Sequence, residues 1–184
     1  MEIQEIFKKL SDRMVSGVMF HEQQADLFDF LNLHGYKRMR EYNARCEMHS
    51  YRKLHRYYIN HFNKLIEEDV IENPNIIPMS WYKYTRQQVD TNTKRTSVKD
   101  NIEKLYKWES ETKEIYESMY IEALDIGEAA VAKKIACLIK HVDKELKYVT
   151  RLHIDLVNMD YEIGYIIGCQ QQMHDWYKDR YDKH

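Results

Sequence analysis

Glycine and proline are scarce in this chain, at 5 and 2 of 184 residues. Sheets need frequent turns and turns favour these residues, so the shortage excludes a strand-rich fold and points to long helices. Cysteine is scarce as well. Cys46, Cys137 and Cys169 are odd in number and widely spaced. That excludes a disulfide framework or a zinc cluster, fits a reducing compartment such as the cytoplasm, and reads as three unreactive, buried or partly buried thiols. No apolar run approaches the ~18 residues that a membrane-spanning helix needs. Residues 1–10 are charged and lack the apolar core of a signal peptide. A net charge of −2 gives neither nucleic acid nor an anionic membrane an electrostatic hold on the chain.

What the chain does have is amphipathic pattern. Hydrophobic residues make up 43% and charged residues 32%, a balance that suits helices with one apolar face, and 184 residues suffice for one domain with a sizeable core. A first helix is expected over 3–33, with Leu10, Met14, Gly17, His21, Gln24, Phe28 and Leu31 on one stripe. Asn32-Leu33-His34-Gly35 reads as a tight turn with Gly35 in the left-handed position. A second helix follows over 36–66, with Arg40, Asn43, Glu47, Ser50, Leu54, Tyr57 and Leu65 along one face. So short a turn makes the two helices antiparallel neighbours.

Residues 67–96 hold both prolines and read as a long crossover. Glu67-Glu68-Asp69 forms a solvated helix end, and Trp81, Tyr82 and Tyr84 anchor the segment to the bundle or to a neighbouring subunit. Ser97, with Asp100 three residues on, reads as the cap of a third helix over 97–126. A fourth helix spans 128–158. In the segment 159–184, the apolar stretch at 163–168 starts a short fifth helix that runs to the charged tail, Lys178 to His184. The expected fold is an all-α antiparallel four-helix bundle in a single domain, with helices one and three parallel, and two and four likewise. At ~1.5 Å per residue, helices of this size are about 45 Å long.

The stripes of the third and fourth helices each carry an acid where an apolar residue belongs. Glu109 and Glu145 are both 18 residues from Gly127, so a fold-back there brings them level. His21, 14 residues before Gly35, and Glu47, 12 after it, meet in the same way in the first hairpin. Buried carboxylates at one height repel each other and need a proton, a cation or a water. His141 stands four residues before Glu145, on the same helix surface. Glu47, Glu109, Glu145, His141 and His21 together are a nitrogen and oxygen donor set suited to iron, manganese or zinc. The plainer reading is that the acids pair with Lys, Arg or Tyr and that His21 is a hydrogen-bonded core histidine. Met14, Met19 and Met39 read as packing, and His49, His55 and His61 as surface residues.

The segment Leu27 to Met39 resembles the first turn of the ferritin-like family, and Tyr106-Lys107-Trp108-Glu109 resembles its third-helix acid motif, with a gapless match onward to Glu145. The resemblance implies a bundle that binds iron, oxidises and stores it, and assembles as a homo-oligomer up to a hollow shell. It places Glu47, Glu109 and Glu145 at ligand positions. Met14 stands where the first-helix Glu belongs, Ser50 where the His belongs and Val142 where a Gln belongs. His141 takes the place of an accessory Glu and His21 that of a tyrosine. The ferroxidase centre that the family carries is thus degraded here. The alternative is a ferritin-fold structural or interaction protein that has lost its metal and keeps the bundle for assembly. A third class, the other di-metal oxidases, needs paired Glu-x-x-His motifs, and neither Glu47 nor Glu145 begins one.

Overall fold

A computed structural model describes residues 2–67, 69, 74–77 and 79–181. Five α-helices follow one another: α1 (Ile3–Phe30), α2 (His34–Phe62), α3 (Thr91–Asp125), α4 (Ala129–Asn158) and α5 (Ile163–Tyr181). Two 3-10 turns, Met79–Lys83 and Arg86–Gln88, lie between α2 and α3, and the described residues contain no strand.

The helix ends follow from local chemistry. A reciprocal capping box between Glu2 and Glu5 starts α1. Its other end closes through Leu33 N–H to Phe28 O (2.8 Å) and Asn32 N–H to Asp29 O (3.0 Å), with Asn32 at φ 56°. This is the two-bond motif that ends a helix on a left-handed residue. Gly127 at φ 80° closes α3 with the same pair of bonds, and Asp160 at φ 46° closes α4. Asn32, rather than Gly35, is therefore the left-handed residue of the first turn. Gly35 lies inside α2 and serves close packing instead: a Cβ there would sit 2.4 Å from the backbone oxygen of Gln170 on α5.

Helix α3 begins earlier than its expected cap at Ser97. Asp90 accepts a 2.7 Å bond from Thr93 N–H and caps it there, while Ser97 is buried one and a half turns inside. Helix α2 ends early, at Phe62, on the left-handed Asn63. Leu65 consequently falls outside the helix and is 77% exposed.

The two hairpins, α1–α2 and α3–α4, pack with α1 against α3, and α5 lies against α2. Arg13 meets Thr112, His21 meets Glu109 and Gln24 meets Asn101. Numbers rise along α1 as they fall along α3, so these helices are antiparallel. The pairs Asn43–Glu145 and Tyr57–Lys134 show the same for α2 and α4. The expected parallel pairing is thus reversed, and the crossover shows why. Asp69 pairs with Lys8, Ile76 N–H bonds Gln23, Trp81 packs on Phe30 and Arg86 pairs with Asp29. The connection climbs the length of α1, so α3 starts where α2 began and runs parallel to it.

Trp81 is the anchor of that connection within the chain, packed against the core beside Tyr84, whereas Tyr82 is 69% exposed. Glu67 and Asp69 are exposed as expected, but lie beyond the end of α2 rather than on it; Glu68, Pro78 and residues 182–184 of the tail lie outside the described residues. Of the thiols, Cys169 is buried and Cys46 partly buried, but Cys137 is exposed, contrary to expectation, because it lies on the outer face of α4. No helix among the described residues is long and apolar enough to cross a membrane.

The core is divided. One apolar cluster, including Phe28, Tyr36, Ile102 and Leu156, fills the end where α5 docks. A second, including Phe7, Leu10, Tyr58 and Ile135, fills the other end. Between them lies a layer of polar side chains.

Candidate metal centre

Each helix of the bundle contributes to this layer, because its apolar stripe is interrupted at the same height. From α1 come Arg13, Gly17 and His21; from α2, Arg40, Asn43 and Glu47; from α3, Glu109, Thr112 and Tyr116; from α4, Glu145. Arg40 and His21 are essentially sealed from solvent, and Glu109 and Glu145 are 3% and 5% exposed. Glu47 is partly buried. Its Cγ lies 3.2 Å from where a Cβ on residue 17 would stand, so glycine there makes room for the acid. The first hairpin pairs Glu47 with Gly17, one turn before the His21 expected from a fold-back at Gly35, and His21 with Arg40, two turns before Glu47.

Two guanidiniums are fixed in the layer. Arg40 Nη1 is 3.2 Å from His21 Nδ1, and the other ring nitrogen, Nε2, is 3.8 Å from Glu109 Oε1. Arg13 donates to Thr112 Oγ1 and to the Trp108 carbonyl, both at 2.8 Å, and its Cζ lies 3.4 Å over the Trp108 ring. Asn43 Nδ2 donates weakly to Glu145 Oε2 at 3.4 Å. Its own Oδ1 is buried with no hydrogen-bond partner among the described residues.

Burial dominates the protonation of the layer. It pushes Glu47 up to about 8, helped by the charges of Glu109 and Glu145 and opposed by Arg13. It pushes Glu109 up to about 7; Arg40 and Arg13 pull it back, and Glu145 adds to the rise. The Tyr116 hydroxyl is held well above its ordinary range by burial and then by Glu47. His21 goes the other way: burial, then Arg40 and Arg13, keep its imidazole neutral.

The structure therefore brings Glu47, Glu109 and Glu145 within electrostatic reach of one another and sets His21 beside Glu109. His141 is half-buried on α4, one turn before Glu145. No three His, Cys, Asp or Glu side chains among the described residues converge closely enough to form a ready-made cage. The donor chemistry nevertheless fits a hard divalent cation: three carboxylates against two guanidiniums, with the orphaned Asn43 oxygen beside them. Arg13, Arg40 and Asn43 are the residues that acid-centred reasoning overlooked. Arg40 and Asn43 lay on the α2 stripe in plain view, whereas Arg13 sits one position off the α1 stripe, and only its long side chain carries it inward.

No family model matches this sequence, and no curated protein does. Solved structures do. An open-pore ferritin from the archaeon Archaeoglobus fulgidus matches at 10% identity with a TM-score of 0.73, over 92% of this chain and 94% of its own. An apo-ferritin from Pseudo-nitzschia multiseries matches at 11% with a TM-score of 0.74, over 92% and 96%. A ferritin variant soaked in iron matches at 10% and 0.74, over 92% and 98%. Two antiparallel hairpins, a crossover along α1 and a fifth helix at one end make this chain a ferritin-like fold.

Proposed function

We propose that this chain binds iron(II), or a similar hard divalent cation, in the polar layer of its bundle. Glu47, Glu109 and Glu145 supply the oxygen ligands, His141 is an accessory donor from one turn away, and His21 is held in reserve beside Glu109. The observation that carries the reading is the excess of acid in a desolvated layer: carboxylates outnumber guanidiniums, and the Asn43 side-chain oxygen has no donor among the described residues. A divalent cation answers that excess, and a set dominated by carboxylate oxygens prefers hard ions. Iron as cargo is supported by the ferritin fold and by the iron-soaked ferritin among its structural neighbours. Oxidation of the ion by oxygen, storage of the product, and assembly into a cytoplasmic homo-oligomeric shell are the finer parts of this reading.

A second reading is favoured by Arg13 and Arg40. Their charges already offset much of the acid, as in a ferritin-fold scaffold stabilised by internal ion pairs and kept for assembly. One experiment separates the two. Protein purified from iron-supplemented cells is assayed for metal content and for oxygen-dependent iron(II) oxidation, beside a Glu109→Ala/Glu145→Ala variant. Stoichiometric iron lost in the variant supports the first reading; no bound metal and no variant-sensitive oxidation support the scaffold. Light scattering on the same samples gives the mass of the assembly.

A further inference from the structure

Arg40 lies seven residues before Glu47, two turns along the same face of α2. It is fully buried, with Nη1 3.2 Å from Nδ1 of His21. A guanidinium keeps its protons and has no acceptor, so this contact runs one way: Arg40 donates and Nδ1 accepts. A neutral imidazole with its lone pair on Nδ1 carries its proton on Nε2. That Nε2 faces Glu109 Oε1 at 3.8 Å, the side on which a cation shared with Glu109 would sit. Metal-bound histidines are built the other way round. Their outer ring nitrogen donates its N–H to an acceptor, which leaves the inner lone pair for the metal. Here the outer nitrogen meets a donor.

We propose that Arg40 is a positioning residue that fixes the Nε2–H tautomer of His21 and so switches this histidine off as a metal ligand. The proposal rests on the reading of the layer as a cation site. With Arg40 in place His21 offers no lone pair to the site, and the oxygen-dominated ligand set favours hard ions such as manganese(II). Without Arg40, the proton moves to Nδ1, the Nε2 lone pair faces Glu109, and the site gains a nitrogen donor suited to cobalt(II). Removing Arg40 also removes a positive charge, which helps any cation. Only the tautomer effect depends on His21.

The test is calorimetric titration of cobalt(II) and manganese(II) into wild type, Arg40→Met, His21→Phe and the double variant. In Arg40→Met, cobalt affinity is expected to rise by about tenfold or more over any gain for manganese, the scale of outer-shell effects on metal sites. His21→Phe is expected to abolish that excess in the Arg40→Met background. An equal cobalt gain with and without His21 would overturn the proposal while leaving the cation site standing. Binding of neither ion by any variant would overturn the cation-site reading itself. Nitrogen-15 spectra of wild type, with His21 assigned by difference against His21→Phe, test the tautomer without metal and without an Arg40 variant that folds. A protonated Nε2 is expected, and a protonated Nδ1 would overturn the proposal.

Discussion

Replacing Glu47 by Gln removes a carboxylate from the polar layer while keeping its volume, and the consequence depends on pH with a definite sign. The Glu47 carboxyl titrates near 4.5 when unfolded and near about 8 in the fold. Between those values the folded state holds a proton that the unfolded state has released, so stability falls as pH rises. Each pH unit in that window costs about 1.4 kcal/mol, or on the order of 4 kcal/mol between pH 5 and pH 8. Glutamine does not titrate, so Glu47→Gln lacks this slope and becomes progressively more stable than wild type as pH rises. His21 acts with the opposite sense. Its depressed folded value means that its contribution is present above its ordinary 6.5 and is lost as pH falls. Because His21 is common to both proteins, it largely cancels in the difference. Urea denaturation followed by far-UV circular dichroism at pH 5, 6.5 and 8, with chelator present, measures that difference. A stability difference that is flat with pH, or that shifts against the glutamine variant as pH rises, would refute the desolvated layer.

The helix contacts and caps give further tests. Gly35→Ala places a Cβ 2.4 Å from a backbone oxygen of α5, and backbone cannot swing aside as a side chain can. A loss of about 2–4 kcal/mol is expected, with hydrogen exchange accelerated in α5 before the other helices. Asp90→Ala should cost about 1 kcal/mol by removing the cap of α3, whereas a cap-like loss for Ser97→Ala would contradict the observed helix start. Thermal or urea unfolding of the two single variants is sufficient.

The amphipathic helices were legible in the sequence because burial writes a 3.6-residue period: each residue on the α1 stripe from Leu10 to Leu31 is buried, as are Glu109 and Glu145 on theirs. The second hairpin was read in correct register because Gly127 really is its left-handed turn residue. The first was misread by about a turn because asparagine adopts the same backbone region as glycine, and Asn32 took the role assigned to Gly35. Strand-like or helical periodicity carries no information about the direction in which a long connection travels, so the parallel relation of α2 and α3 emerged only from the contacts of Asp69, Ile76 and Arg86. The counter-charges of the site were hidden for a different reason. An arginine on or beside a helix stripe usually reaches for solvent, and only the neighbouring acids reveal that Arg40 and Arg13 turn inward.

The central claim is that a divalent cation takes the place now held by protons on the buried acids. Anaerobic iron(II) titration at pH 6.5, with released protons counted in a weakly buffered cell, tests it directly. Glu47 and Glu109, raised to about 8 and about 7, are mostly protonated there, and both must ionise to become ligands. About one to two protons per bound ion are expected, and fewer in a Glu47→Gln variant. Iron bound without proton release would lie on solvated, already ionised carboxylates and would contradict the account.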